Sequence, residues 1–199
     1  MRDSGTTPER PAAPPRHRIL IFGPSGAGTS TLGRALATAR GSQHFDADDF
    51  YWVPTDPPFR VKRPAEERCD LMRQMFLPRA DWVLSGAVEG WGEAVVDRLS
   101  FAVFLTLPQA PRRQRLEARE RLRHGAAMAP GGAAHEEVRA FLNWADGYEA
   151  GLRPGRSLSR HELWASGLPC PLLRLDAGPP PDRLVAEVQA ALAQVSATA

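Results

Sequence analysis

Cysteine is scarce in this chain of 199 residues, and its two copies, Cys69 and Cys170, lie far apart without a CxxC or histidine-rich context. Neither a disulfide framework nor a zinc site is indicated, and a reducing cytoplasm fits that usage. Long apolar runs are missing too: none approaches the roughly 18 residues of a membrane span. Residues 1–16 hold proline, threonine and arginine with no hydrophobic signal region, which predicts a short disordered tail. Charge of one sign is also lacking, because a net +2 makes no broad electrostatic magnet and names no partner. Lysine is nearly absent, Lys62 standing alone among 25 basic residues in an arginine-biased composition. What remains, 43% hydrophobic over this length, suffices for one core, so a single domain is expected over residues 17–199.

The apolar run Ile19 to Phe22 stops at Gly23, as a strand buried on both faces does. Leu32, Ala35, Leu36 and Ala39 then recur at helical spacing up to Gly41, a C-terminal cap. Further strands are expected near Gln43 to Asp46, Trp82 to Leu84, Phe101 to Leu105 and Leu172 to Leu175. Between them fall a Pro54, Pro57, Pro58 loop and a helix after Pro64 with Leu71, Met72, Met75 and Phe76 inward. Helices are also expected over Glu93 to Leu99, Pro111 to Arg123, Glu136 to Leu152 and Ser159 to Ser166. A terminal helix is striped by Leu184, Val188, Ala191, Leu192 and Val195. Strands alternating with helices predict an α/β fold with five strands in a mostly parallel sheet, helices on both faces and right-handed crossovers.

Gly23-Pro24-Ser25-Gly26-Ala27-Gly28-Thr29-Ser30 has the spacing of a P-loop, except that threonine occupies the lysine slot. Glycines let backbone N–H groups turn onto phosphate oxygens, the following helix aims its positive end at them, and the Ser30 hydroxyl can ligate Mg²⁺. Gly23, Ser25, Gly26, Ala27, Gly28, Thr29, Ser30 and Thr31 are therefore the candidate nucleotide cradle. A lysine about 4 Å from a phosphate oxygen contributes on the order of 4 kcal/mol at an intermediate dielectric. Backbone and metal remain without it, so binding of ATP or GTP is expected to survive Thr29. Phosphoryl transfer then needs a cation from elsewhere.

With Gly23 to Thr31, His44 to Trp52, Trp82 to Gly86 and the arginine-rich helix taken together, the chain resembles the P-loop kinase superfamily of adenylate, shikimate and gluconate kinases. It looks most like uncharacterised bacterial proteins of the adenylate-kinase-like ATPase or topology-modulation type. That resemblance implies a three-layer P-loop NTPase fold with a helical lid. It also implies Asp46 on the metal side with Ser30, Asp48 toward the acceptor, and lid arginines Arg119 and Arg123 closing on the triphosphate. Arg115, Arg119 and Arg123 share a helical face, and a solvated salt-bridge surface with Glu117 and Glu120 stays open as their alternative. Trp82 to Gly86 matches the third strand of these kinases, but no carboxylate stands there where a Walker B aspartate would. Gly86 resembles the glycine that lets an acceptor approach that strand's end.

Phe50, Tyr51, Trp52 and Trp91 could wall an acceptor pocket, whereas Trp144 and Tyr148 read as core. Lys62 and Arg63 lie where such kinases bind the acceptor. The expected function is transfer of the γ-phosphoryl group from ATP, with Mg²⁺, to a small-molecule or nucleotide acceptor. The alternative is a non-catalytic or slow-ATPase module acting on a partner protein. Nucleic-acid binding is the weakest reading, because no basic run extends beyond the one helix, and no membrane partner is expected.

Overall fold

The computed structural model describes residues 16–151 and 155–198, so the tail expected over 1–16 falls, but for its last residue, outside them. Its strands are β1 (Arg18–Phe22), β2 (His44–Asp46), β3 (Trp52–Val53), β4 (Val61–Lys62), β5 (Trp82–Ser85), β6 (Phe101–Thr106) and β7 (Leu172–Asp176). The main sheet runs β2-β5-β1-β6-β7, and all four of its pairings are parallel. Parallel neighbours need a crossover each, which puts helices on both faces and buries the three inner strands, β5, β1 and β6.

Alternation of side chains divides β1 between two cores. Ile19 and Ile21 face α1 (Thr29–Arg40) and α8 (Pro181–Thr198), meeting Leu32, Leu36, Leu184, Val188 and Leu192. Leu20 and Phe22 face α3 (Ala65–Met75), α4 (Glu93–Val96) and α7 (Leu158–Ser166), meeting Met72, Phe76, Val95 and Ala165. Each such burial contributes about 1.5–3 kcal/mol, so the unbroken apolar run of β1 is the requirement of a central strand. A third cluster joins Leu116 of α5 (Gln109–His124) to Val138, Leu142 and Ala145 of α6 (His135–Asp146), and these two helices form the lid.

Several expectations shift. Met75 is 51% exposed, because α3 meets the core through Met72 and the residue after its end, Phe76. Helix α4 stops at Val96 and α6 at Asp146, where Gly147 follows. The proline-rich segment closes an antiparallel hairpin, with Trp52 opposite Lys62. Gly41 caps α1 as predicted, its N–H reaching the carbonyls of Ala37 and Thr38. Among the described residues no helix is long and apolar enough to cross a membrane.

His161 of α7 is fully buried against Phe22 and Phe104. Its Nδ1 pairs with the Tyr148 hydroxyl at 2.9 Å, Nε2 has no hydrogen-bond partner, and the nearest carboxylate, Glu89, stands 4.0 Å away. Burial, helped by Arg156 and opposed by Glu162, pushes its pKa down to about 4 from 6.5. The folded state therefore refuses a proton that the unfolded chain accepts. Stability is full above pH 6.5 and falls as pH drops toward 4, by about 1.4 kcal/mol per pH unit. Urea unfolding at pH 7 and pH 5 should show a loss that His161→Gln lacks, and equal slopes in the two proteins would refute this.

Candidate functional site

The loop between β1 and α1 wraps over the carboxyl end of the sheet. Ala27 N–H closes a turn onto the Pro24 carbonyl at 3.1 Å, and Gly28, at φ 98°, is the N-cap of α1. No side chain caps that helix, so its first-turn N–H groups point out of the protein at the positive end of the helix dipole. Arg112, 1% exposed, fixes the loop to the lid: it donates to the carbonyls of Ser25, Leu107 and Ala145 and forks onto Glu149 at 2.6 Å. Arg115 donates to Ala27 O at 3.3 Å and Ala177 O at 2.9 Å. The arginines of α5 that touch the phosphate loop are thus Arg112 and Arg115, not Arg119 or Arg123.

Ser30 and Asp46 come together directly. The Ser30 hydroxyl donates to Asp46 Oδ2 at 2.6 Å, and Asp46 Oδ1 accepts the Asp48 N–H at 3.1 Å, capping α2 (Ala47–Tyr51). Ser85 Oγ donates to the same Oδ2 at 3.2 Å, and His44 Nε2 lies 2.9 Å from Ser85 Oγ. A hydroxyl beside a carboxylate is the hard-oxygen donor set that magnesium takes. Among the described residues no three His, Cys, Asp or Glu side chains could hold a metal by themselves. A Mg²⁺ shared with a nucleotide needs only one or two protein oxygens, so the pair fits that use.

Asp48 and Asp49 open outward on α2. Asp48 is held above the ordinary carboxylate range, chiefly by loss of water around it; Arg156 and Arg119 oppose the rise, and Asp46 and Asp49 add to it. Arg156, which the sequence did not single out, also lines a crevice with Ser25, Trp144, Ala145 and Tyr148. One turn along α2 from Asp48, the Tyr51 ring carries the Arg68 guanidinium 3.8 Å from its centre, and Trp91 lies 5.2 Å from the same group. Arg68 is 8% exposed and donates through Nε to the Arg63 carbonyl, with no carboxylate partner among the described residues. Phe50 points into the core, leaving Tyr51 and Trp52 half-buried at the wall. Lys62 is exposed, 6.0 Å from Tyr51. Gly86 lets α2 rather than open space come near, since a Cβ there would lie 2.8 Å from that of Ala47.

Arg119 and Arg123 are not at the phosphate loop. Both pair with Glu120, at 2.7 and 3.3 Å, and that carboxylate, 4% exposed, also lies 3.4 Å from His124. Arg119 covers Phe141, and Arg123 reaches Phe59 of the hairpin. Arg113, on another side of the helix, pairs with Glu117 and Asp146.

The AAA domain family model, AAA_18, matches residues 19–130, more than half of the chain and all of the loop, acids and lid helix just described. The chain belongs to this family. It is 38% identical over 161 residues to the uncharacterized protein YqaC of Bacillus subtilis (strain 168), covering 81% of this chain and 89% of that one. Among solved structures it is similar to a gluconokinase from Sinorhizobium meliloti 1021, with TM-score 0.52 and 17% identity over 92% of this chain and 95% of that one. It is likewise similar to the shikimate kinase from Acinetobacter baumannii in complex with shikimate, with TM-score 0.53 and 14% identity over 90% and 94%. These two likenesses concern the fold. Family, fold and loop agree on a P-loop NTPase of the kinase-like, nucleotide-binding type.

Proposed function

We propose that this AAA_18 protein binds ATP with Mg²⁺ and transfers its γ-phosphoryl group to a small acceptor that carries an anionic group. The observation that carries the reading is the 2.6 Å contact between Ser30 and Asp46 beside the uncapped start of α1. With phosphates on the helix N-terminus, Ser30 and Asp46 would hold the Mg²⁺, which would offset the charge that builds on the transferred group. Asp48 would orient the acceptor hydroxyl and accept its proton. Arg68 supports an anionic acceptor: a buried guanidinium stacked on Tyr51 without a carboxylate is a ready partner for a carboxylate or phosphate. Arg156, beside Asp48, adds a second such donor.

Calorimetry with ATP should detect binding that Mg²⁺ strengthens, despite Thr29. Ser30→Ala and Asp46→Asn should each remove about tenfold of affinity with Mg²⁺ and little without it. Equal losses in both conditions would assign the two residues to folding. Labelled ATP offered with a panel of phosphorylated and carboxylated hydroxyl compounds, and neutral analogues beside them, tests transfer. Transfer to neutral compounds alone would overturn the acceptor class. The slow-ATPase module remains the second reading, favoured by Thr29 together with the capture of Arg119 and Arg123 by Glu120. Failure to label any acceptor while ATP is slowly hydrolysed would select it.

A further inference from the structure

The carboxylate absent from the end of β5 is replaced by a directed pair of hydrogen bonds. Strands β2 and β5 run in parallel register with Asp46 opposite Ser85, and His44 lies two residues before Asp46 on the same face of β2. Ser85 is fully buried. Its single hydroxyl proton goes to Asp46 Oδ2, because an ionised carboxylate only accepts; the oxygen is then left to accept from His44 Nε2–H at 2.9 Å. The chain of donors therefore runs one way, from His44 through Ser85 to Asp46, and ends on the oxygen that also accepts from Ser30.

Room for this arrangement is made in α1. Gly33 sits in the interior of that helix, where glycine costs roughly 0.5–1 kcal/mol relative to alanine. A Cβ at Gly33 would lie 2.7 Å from the His44 ring and 3.2 Å from Ser85 Cβ. A helix-interior glycine that weakens the helix is thus matched by an imidazole that occupies the space it leaves.

We infer that Ser85 and His44 are positioning residues that hold the Asp46 carboxylate on Ser30 and so set the affinity of this site for Mg²⁺, in place of a second carboxylate. This rests on the nucleotide-binding reading above. Asp46 has two oxygens and a freely turning carboxyl group. Donors on Oδ1 from Asp48 and on Oδ2 from Ser85 leave it a single orientation. Partners of this kind behind a metal ligand are typically worth about 10–100-fold in metal affinity.

The test is calorimetric binding of the non-hydrolysable analogue AMP-PNP, with excess MgCl₂ and with EDTA, so that the readout is the Mg²⁺ enhancement rather than activity. Ser85→Ala, which removes one oxygen from a buried strand, should cut that enhancement about tenfold or more and leave binding in EDTA unchanged. His44→Phe should do the same, and His44→Gln, which restores an N–H donor, should recover most of it. Recovery by glutamine separates positioning from packing. If wild type shows a Mg²⁺ enhancement and Ser85→Ala keeps it, or loses equally in EDTA, the positioning role is wrong while the function stands. If wild type binds no nucleotide under either condition, the function falls and this inference with it.

Discussion

Valine at position 28 abolishes nucleotide binding, with affinity expected to fall by about 100-fold or more while the domain stays folded. Gly28 holds φ 98° as the N-cap of α1, a region that a β-branched residue enters only at roughly 1–3 kcal/mol. Among the described residues, its chain neighbours aside, an added Cβ would meet Arg115 Nη1 at 3.8 Å, so the side chain meets little protein. It enters instead the space beside the first turn of α1, where a phosphate would sit. Relaxing φ would also turn the following N–H groups away. Losing one or two charge-assisted hydrogen bonds of about 1.5–3 kcal/mol each amounts to roughly 3 kcal/mol, which is about 100-fold. The melting temperature should drop by about 2–4 °C per kcal/mol of strain, well short of unfolding. AMP-PNP calorimetry beside thermal melts decides: affinity within tenfold of wild type in a folded Gly28→Val would remove the phosphate from this loop.

The fold was legible because its signals are local and agree with one another. Ile19 to Phe22 can be buried on both faces only in a central strand, the glycine spacing marks the turn, and Gly41 ends the helix through its left-handed φ of 62°. The reach of α4 and α6 was not legible, since periodicity continues past Val96 and past Asp146, where Gly147 caps α6. The side on which Met75 falls depends on where α3 meets the sheet, which no local pattern states.

The site divides in the same way. Ser30 and Asp46 could be paired in advance because the resemblance to shikimate kinases puts Asp46 on the metal side with the P-loop hydroxyl. Their contact then depends only on β1 and β2 being parallel and close. The missing carboxylate of β5 was visible, but the Ser85 hydroxyl acquires meaning only when β5 lies beside β2 and His44 comes within 2.9 Å. Arg68 and Arg156 were hidden among two dozen arginines of equal appearance. What separates Arg68 is burial without a carboxylate, a three-dimensional property. Arg119 and Arg123 were chosen from the resemblance to lid arginines and a shared helical face, neither of which tells of the adjacent Glu120 that holds both.

That capture shapes the second large effect. With Thr29 in the lysine slot, charge developing on the transferred phosphoryl group needs another cation. Losing one preorganised stabiliser typically slows a reaction about 10²–10³-fold. Arg119 is the foremost candidate: its charge acts to lower the pKa of Asp48, and its planar fork can give two hydrogen bonds to a phosphate. To do so it must leave Glu120, exchanging one anion for another of higher charge. Arg123 holds the same carboxylate at 3.3 Å and lies over Phe59 of the hairpin. Arg119→Ala should therefore lower turnover, followed as transfer or as ATP hydrolysis, by about 100-fold, and Arg123→Ala by less. Nucleotide affinity should stay within roughly tenfold in both, as for an interaction made mainly in the transition state. Glu120→Gln removes the competing charge while keeping the shape of the side chain, so it should raise turnover severalfold if release of Arg119 limits the step. Thr29→Lys should then add little, because the slot is already served from the lid. Full turnover in the Arg119 and Arg123 double variant, together with a large gain in Thr29→Lys, would place no lid cation on the phosphates. In that case Glu120 holds its arginines permanently, and hydrolysis runs on the backbone cradle and Mg²⁺ alone.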